Sequence, residues 1–140
     1  MNQIKLGFIA AAIMNIGGVL IFSRCFTNSV INEMDPVVMS NFGLLMIMVW
    51  GLAYLGAANV VTGIKWLAGA FALEKLVYVI AWTLWFSHNT LRAVYEKDLL
   101  AGAFYTLYGL NDLIFMLFFA WVFLTHRTSS GSGEHQNRSH

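Results

Sequence analysis

The chain has 140 residues, enough for one domain. Hydrophobic residues make up 59% of it and charged residues 11%, against about 25% charge in an ordinary soluble domain, so it lacks the polar surface to stay in water. The net charge of +1, from 8 Lys and Arg against 7 Asp and Glu, excludes a basic face for nucleic acid and an acidic tract for a cationic partner; the single cysteine, Cys25, excludes an intramolecular disulfide and a multi-cysteine metal or cluster site.

A membrane helix needs roughly 20 mainly apolar residues, and four such segments with short loops use up nearly the whole length. The first segment covers residues 6–23. Lys5 followed by an apolar run resembles a signal peptide, but Arg24 before Cys25 suits neither a small-residue cleavage site nor a lipoprotein signal, so the segment is expected to be retained. It is rich in small residues (Gly7, Ala10, Ala11, Ala12, Gly17 and Gly18), which let helices approach closely in lipid. Residues 24–36 form a polar break containing Asn28, Asn32, Glu33 and Asp35, and Asp35 with Pro36 reads as a helix start.

The second segment covers residues 37–61 and carries Asn41, Trp50, Tyr54 and Asn59. The turn at Thr62, Gly63, Ile64 and Lys65 is tight, so the second and third segments are expected to be antiparallel neighbours. The third segment, 66–86, contains Glu74 and Lys75. Residues 87–98 suggest a wet, partly helical surface stretch with Leu91, Val94 and Tyr95 at the interface. The fourth segment, 99–124, holds Asn111 and Asp112 near its centre, and residues 128–140 read as a flexible polar tail.

The expected fold is therefore all-α: residues 1–127 as an integral membrane bundle of four antiparallel transmembrane helices. Lys5, Lys65 and Arg127 on the terminal side balance Arg24, Arg92 and Lys97 on the other. The very short Lys65 turn and the acidic content of the other two loops tilt the reading to cytoplasmic termini.

Glu74, Lys75 and Asp112 are the residues most able to carry chemistry. An ionisable group at the centre of a spanning helix costs about 2.5–3.5 kcal/mol on insertion scales, so three must be paired, protonated or facing water. Glu74 and Lys75 lie about nine residues into the third segment and Asp112 about twelve from either end of the fourth, depths that agree within about one turn at ~1.5 Å per residue. Asn15 falls at a similar level on the first segment. Ala101, Tyr105, Tyr108, Asp112, Phe115 and Phe119 share one helical stripe; Phe71, Glu74, Tyr78, Trp82 and Trp85 share another; Gly43, Ile47, Trp50 and Tyr54 share a third.

Adjacent residues on a helix point about 100° apart, so Glu74 and Lys75 cannot both face one partner. Two arrangements follow. Lys75 pairs with Asp112 while Glu74 is protonated or bonded to Tyr78 or Asn15; or Glu74 and Asp112 share a proton while Lys75 snorkels. Either can serve a ligand pocket or a proton relay, or can simply fix helix register. Aromatic stripes read first as packing, and second as walls for a flat lipophilic ligand such as a quinone, sterol or lipid tail.

No cofactor is expected. His88 and His126 follow successive antiparallel helices and fall on opposite faces, some 30 Å apart, so they cannot share a haem. P-loop, GxSxG, HExxH and GxGxxG motifs are missing, and a membrane enzyme acting on a lipid is the least supported reading.

In the texture of residues 39–54, MSNFGLLMIMVWGLAY, and in its four segments, the chain resembles the small four-helix inner-membrane proteins of bacteria, DoxX-like ones included. That resemblance implies a bacterial inner membrane and carries over no active residue. The small multidrug exporters differ at their key position, since their essential Glu is on the first helix, where this chain has Asn15. The sterol-isomerase-like four-helix fold offers an analogous acidic site without a shared motif.

Three functions fit. The first is binding of a lipophilic small molecule or lipid on a polar floor of Glu74, Lys75 and Asp112, with Asn15 and Asn111 beside them and Tyr78, Tyr105, Tyr108 and Trp50 as lining. The second is a transporter or proton-coupled subunit, as a homo-oligomer or with a partner. The third is a structural or accessory subunit of a membrane complex.

Overall fold

A computed structural model describes residues 2–60 and 62–127. Among these the chain forms six helices and no strand: α1 (Gln3–Phe22), α2 (Ser29–Met34), α3 (Asn41–Ala57), α4 (Ile64–His88), α5 (Leu91–Lys97) and α6 (Leu99–Thr125). The expected tail, 128–140, lies outside the described residues, as does Val61 at the expected end of the second segment.

Caps explain the boundaries. Asn2 accepts the Ile4 N–H at 3.0 Å, so α1 begins at Gln3, ahead of the expected residue 6. Beyond α1, Arg24, Cys25 and Phe26 take φ of 49°, 55° and 68° in succession, a left-handed turn that L-residues resist. Ser23 and Asn28 hold it: Phe26 N–H donates to Ser23 Oγ at 2.9 Å, and Asn28 Nδ2 to the Phe22 carbonyl at 3.1 Å.

The second expected segment is shorter than its hydropathy suggests. Asp35 does cap a turn, accepting the Val38 N–H at 3.2 Å, but the turn stops at Ser40. Ser40 then caps α3 anew through the Gly43 N–H at 3.1 Å. Gly43 is needed here, because a Cβ would overlap the Val38 carbonyl folded over it. Gly63, at φ 78°, delivers the chain into α4 in a conformation glycine adopts without penalty.

Packing pairs α4 with α6 and α1 with α3, and α1 also touches α6. The consecutive helices α3 and α4 are held further apart than their tight turn suggests, because large rings stand between them: Phe71 sits 4.8 Å from the Tyr54 ring and 6.1 Å from Trp50. Small residues set the close approaches. A Cβ on Gly109 of α6 would overlap the Trp82 ring of α4, and one on Gly51 of α3 would come within 2.8 Å of Ile16 on α1. Gly17 and Gly18, by contrast, face open space.

The two short helices close the end of the bundle remote from the termini. Ile31 of α2 and Val94 of α5 are fully buried. Tyr105 of α6 donates to the Ile31 carbonyl at 2.7 Å and Trp85 of α4 to the Met34 carbonyl at 3.0 Å. Asp98 caps α6 through the Ala101 N–H at 2.8 Å while accepting from Arg24 at 2.8 Å and Asn28 at 2.7 Å. These donors, the Ala101 N–H first, hold the Asp98 carboxyl below its ordinary value.

The polarity of the bundle is inverted relative to a soluble one. Leu73, Val77 and Ile80 of α4 are half exposed or more, whereas Glu74 and Lys75 between them are buried. Helices α1, α4 and α6 are each long and apolar enough to cross a membrane. Helix α3 is equally apolar but has 17 residues, about 25 Å at the α-helical rise, short of the roughly 30 Å hydrocarbon core.

Candidate functional site

Two apolar clusters fill the ends of the bundle. One is built on Phe8, Phe71 and Phe119 toward the termini, the other on Leu44, Trp85 and Tyr105 toward the cap. A polar layer lies between them, to which all four long helices contribute.

Lys75 is its centre, with 1% of its surface exposed. Its ammonium donates to Asp112 Oδ1 at 2.6 Å and to Asn15 Oδ1 at 3.0 Å, and stands 5.3 Å from the centre of the Tyr54 ring. Asn15 is fixed in turn by donating its amide to the Ile47 carbonyl of α3 at 3.0 Å. Asn111 donates to Asp112 Oδ1 at 3.3 Å. The first of the two expected pairings is thus the one present, with Lys75 on Asp112.

Glu74 points the other way, as the turn of the helix requires. Its donor is neither Tyr78 nor Asn15 but the Tyr54 hydroxyl of α3. Sequence reasoning placed Tyr54 on the stripe of Trp50 without pairing it. A signal was present: Tyr54 and Glu74 flank the tight turn expected at residues 62–65 at similar separations, so an antiparallel hairpin brings them toward one depth.

The four expected aromatic linings do not share one cavity. Trp50 and Tyr78 line a groove of about 600 Å³ between α3 and α4, with Ala70, Leu73, Val77 and Ala81 around them and Glu74 at its floor. Tyr108 lines a smaller cleft of about 50 Å³ between α1 and α6, where Asn15, Asn111 and Asp112 supply the polar surface. Tyr105 lines neither. Its hydroxyl is used on Ile31, and its ring stacks on Trp85 at 4.4 Å.

Both openings face sideways out of the bundle. Toward the termini, a hollow of about 320 Å³ lined by Asn2, Lys5 and His126 ends on Phe8. The Phe8 ring sits 5.9 Å from Phe71 and 5.2 Å from Phe119, and so separates the hollow from the polar layer.

No protein-family model, curated protein or solved structure matches the chain.

Proposed function

We propose that the chain is a four-span membrane protein that binds a lipophilic molecule bearing a hydrogen-bond donor, entering from the side into the α3–α4 groove. The observation that carries this reading is the Glu74 carboxyl, anchored by Tyr54, at the floor of an apolar groove. Lys75 is committed to Asp112 and Asn15, so Glu74 has no dedicated cation of its own. A ligand amine or hydroxyl supplies what the groove lacks, and its apolar body covers Trp50, Leu73 and Val77. In this reading α3 is the fourth span, tapering the membrane locally or extended by the turn before it. The surrounding membrane is a bacterial inner membrane with cytoplasmic termini, in keeping with the DoxX-like resemblance.

The transport reading has less support. A relay needs water to reach Glu74 or Asp112 from one face, and Phe8, Phe71 and Phe119 stand across the terminal side while the stacked Trp85 and Tyr105 stand across the other.

The test is a titration of the protein in lipid nanodiscs with an alkylamine, the matching alcohol and the matching alkane, read by tryptophan fluorescence. Saturable binding of the amine and alcohol in the groove is expected, reported by Trp50 and lost in Glu74→Leu and in the groove-filling Ala81→Leu. Equal response to the alkane, or indifference to both substitutions, would sink the reading.

A further inference from the structure

We infer that the α1–α6 cleft is a second, separate binding site, for the neutral hydroxyl-bearing end of an apolar chain, seated on Tyr108, Asn111 and Asp112. The cleft shares no lining residue with the α3–α4 groove. The inference rests on the membrane reading above, but not on Glu74.

Tyr108 provides the first argument. It is 8% exposed, and its hydroxyl is shut from solvent with no hydrogen-bond partner among the described residues. Buried polar groups are almost always paired, so an orphaned one on a residue that lines the cleft asks for a partner the chain does not provide, one that an occupant reaches by displacing the ring slightly. Packing does not account for the hydroxyl. The ring is held by Phe104 at 5.4 Å, Tyr105 at 5.9 Å and Trp82 at 6.4 Å, contacts a phenylalanine would make equally well.

Charge provides the second. Asp112 is matched by Lys75 at 2.6 Å. An incoming anion would lie against the carboxylate with Lys75 already committed to it, and an incoming cation would compete with Lys75 for it. A neutral hydroxyl does neither: it donates to the carboxylate and accepts from Tyr108. Size and position provide the third. Some 50 Å³ admits a chain end, not a ring system, at roughly 10–15 Å³ per water-sized group. The walls are apolar, formed by Met14, Val19, Phe22, Ile47 and Leu107. The site lies about twelve residues along α6, near the bilayer middle at ~1.5 Å per residue. The ester groups of bilayer phospholipids stay at the interface, so the occupant is a free amphiphile inserted chain-end first.

Gly18 lines the same cleft, and a Cβ there would meet nothing within 4 Å, so a larger side chain can be introduced at the cleft without a clash at its Cβ. The experiment is photolabelling of the nanodisc protein with an alkyl alcohol carrying a chain diazirine, mapped by mass spectrometry. Labels on α1 and α6 are expected, displaced by the unlabelled alcohol but not by the matching alkane, carboxylate or added phospholipid. Tyr108→Phe should weaken labelling about five- to tenfold, the worth of one hydrogen bond, with no loss of thermal stability. Gly18→Leu should abolish the α1 and α6 labels, and Ala81→Leu should leave those labels unchanged while removing any label in the α3–α4 groove. Labelling absent from α1 and α6, indifferent to Gly18→Leu, or displaced equally by alkane overturns the site. Labels that shift with Ala81→Leu alone would place the alcohol in the α3–α4 groove, overturning this site while leaving the groove intact.

Discussion

Lys75 and Asp112 meet at 2.6 Å between α4 and α6, both buried, and Asn15 reaches the same ammonium from α1 at 3.0 Å. One cation therefore ties three helices together. Breaking such a pair leaves an uncompensated charge indoors. Asp112→Ala is expected to destabilise the protein by about 3–5 kcal/mol, whereas replacing both partners with apolar residues of similar volume should be close to neutral. Thermal unfolding in detergent across the double-mutant cycle measures this. Losses in the two single variants that simply add in the double variant would show that the pair carries no coupling.

Tyr54 and Glu74 make the corresponding link between α3 and α4. Tyr54→Phe removes the one hydrogen-bond donor to the carboxyl among the described residues and should cost about 1–3 kcal/mol. Unfolding measured beside the Glu74→Gln variant checks it. Because α3 and α4 touch mainly through side chains, this loss should also raise amide exchange in α3 more than in α6.

Gly109 lies against the Trp82 ring. Gly109→Ala should force α4 and α6 apart and cost about 1–3 kcal/mol by overpacking. The same change at Gly17, which faces open space, should stabilise slightly or do nothing. The difference in melting temperature between the two is the measurement, and comparable values would refute the packing assignment.

The cap over the loop end depends on Asp98. Its carboxyl is held below its ordinary value by Ala101, Arg24 and Asn28, so it contributes stability that is fully present above about pH 3.9, the unfolded value, and is lost as the pH falls through the lower folded value. Protection of the α2 and α5 amides, relative to their intrinsic exchange at each pH, should therefore stay flat from neutral pH down to mildly acidic conditions and fall only below that. Tyr105→Phe, which frees the Ile31 carbonyl, should raise exchange in α2 at every pH.

Cys25 is exposed at the end of the bundle remote from the termini. With cytoplasmic termini, a membrane-impermeant maleimide should label it in intact cells and fail to label it in inside-out vesicles. The reverse pattern would invert the proposed orientation.

The apolar segments were legible in the sequence because each is a run of residues too hydrophobic for water, and their inner ends fell within a few residues of the observed α1, α4 and α6. Ser40 was the exception. Its hydroxyl captures the Gly43 N–H and restarts the helix, a local competition that hydropathy does not register. The common depth of Asn15, Glu74, Lys75 and Asp112 along their helices could be counted along the chain, since helical rise is constant. Which of them touch could not, for it depends on how the helices rotate about their axes.

The sequence by itself thus determined that the chain is helical and apolar, and that polar groups on three helices share one depth, because composition and rise per residue act locally. Only the tertiary structure decided that Lys75 turns to Asp112 and Glu74 to Tyr54. The 100° between neighbouring residues gives Glu74 and Lys75 diverging directions, and the rings between α3 and α4 keep those helices apart. That separation is what divides one expected pocket into a groove on Glu74 and a cleft on Asp112.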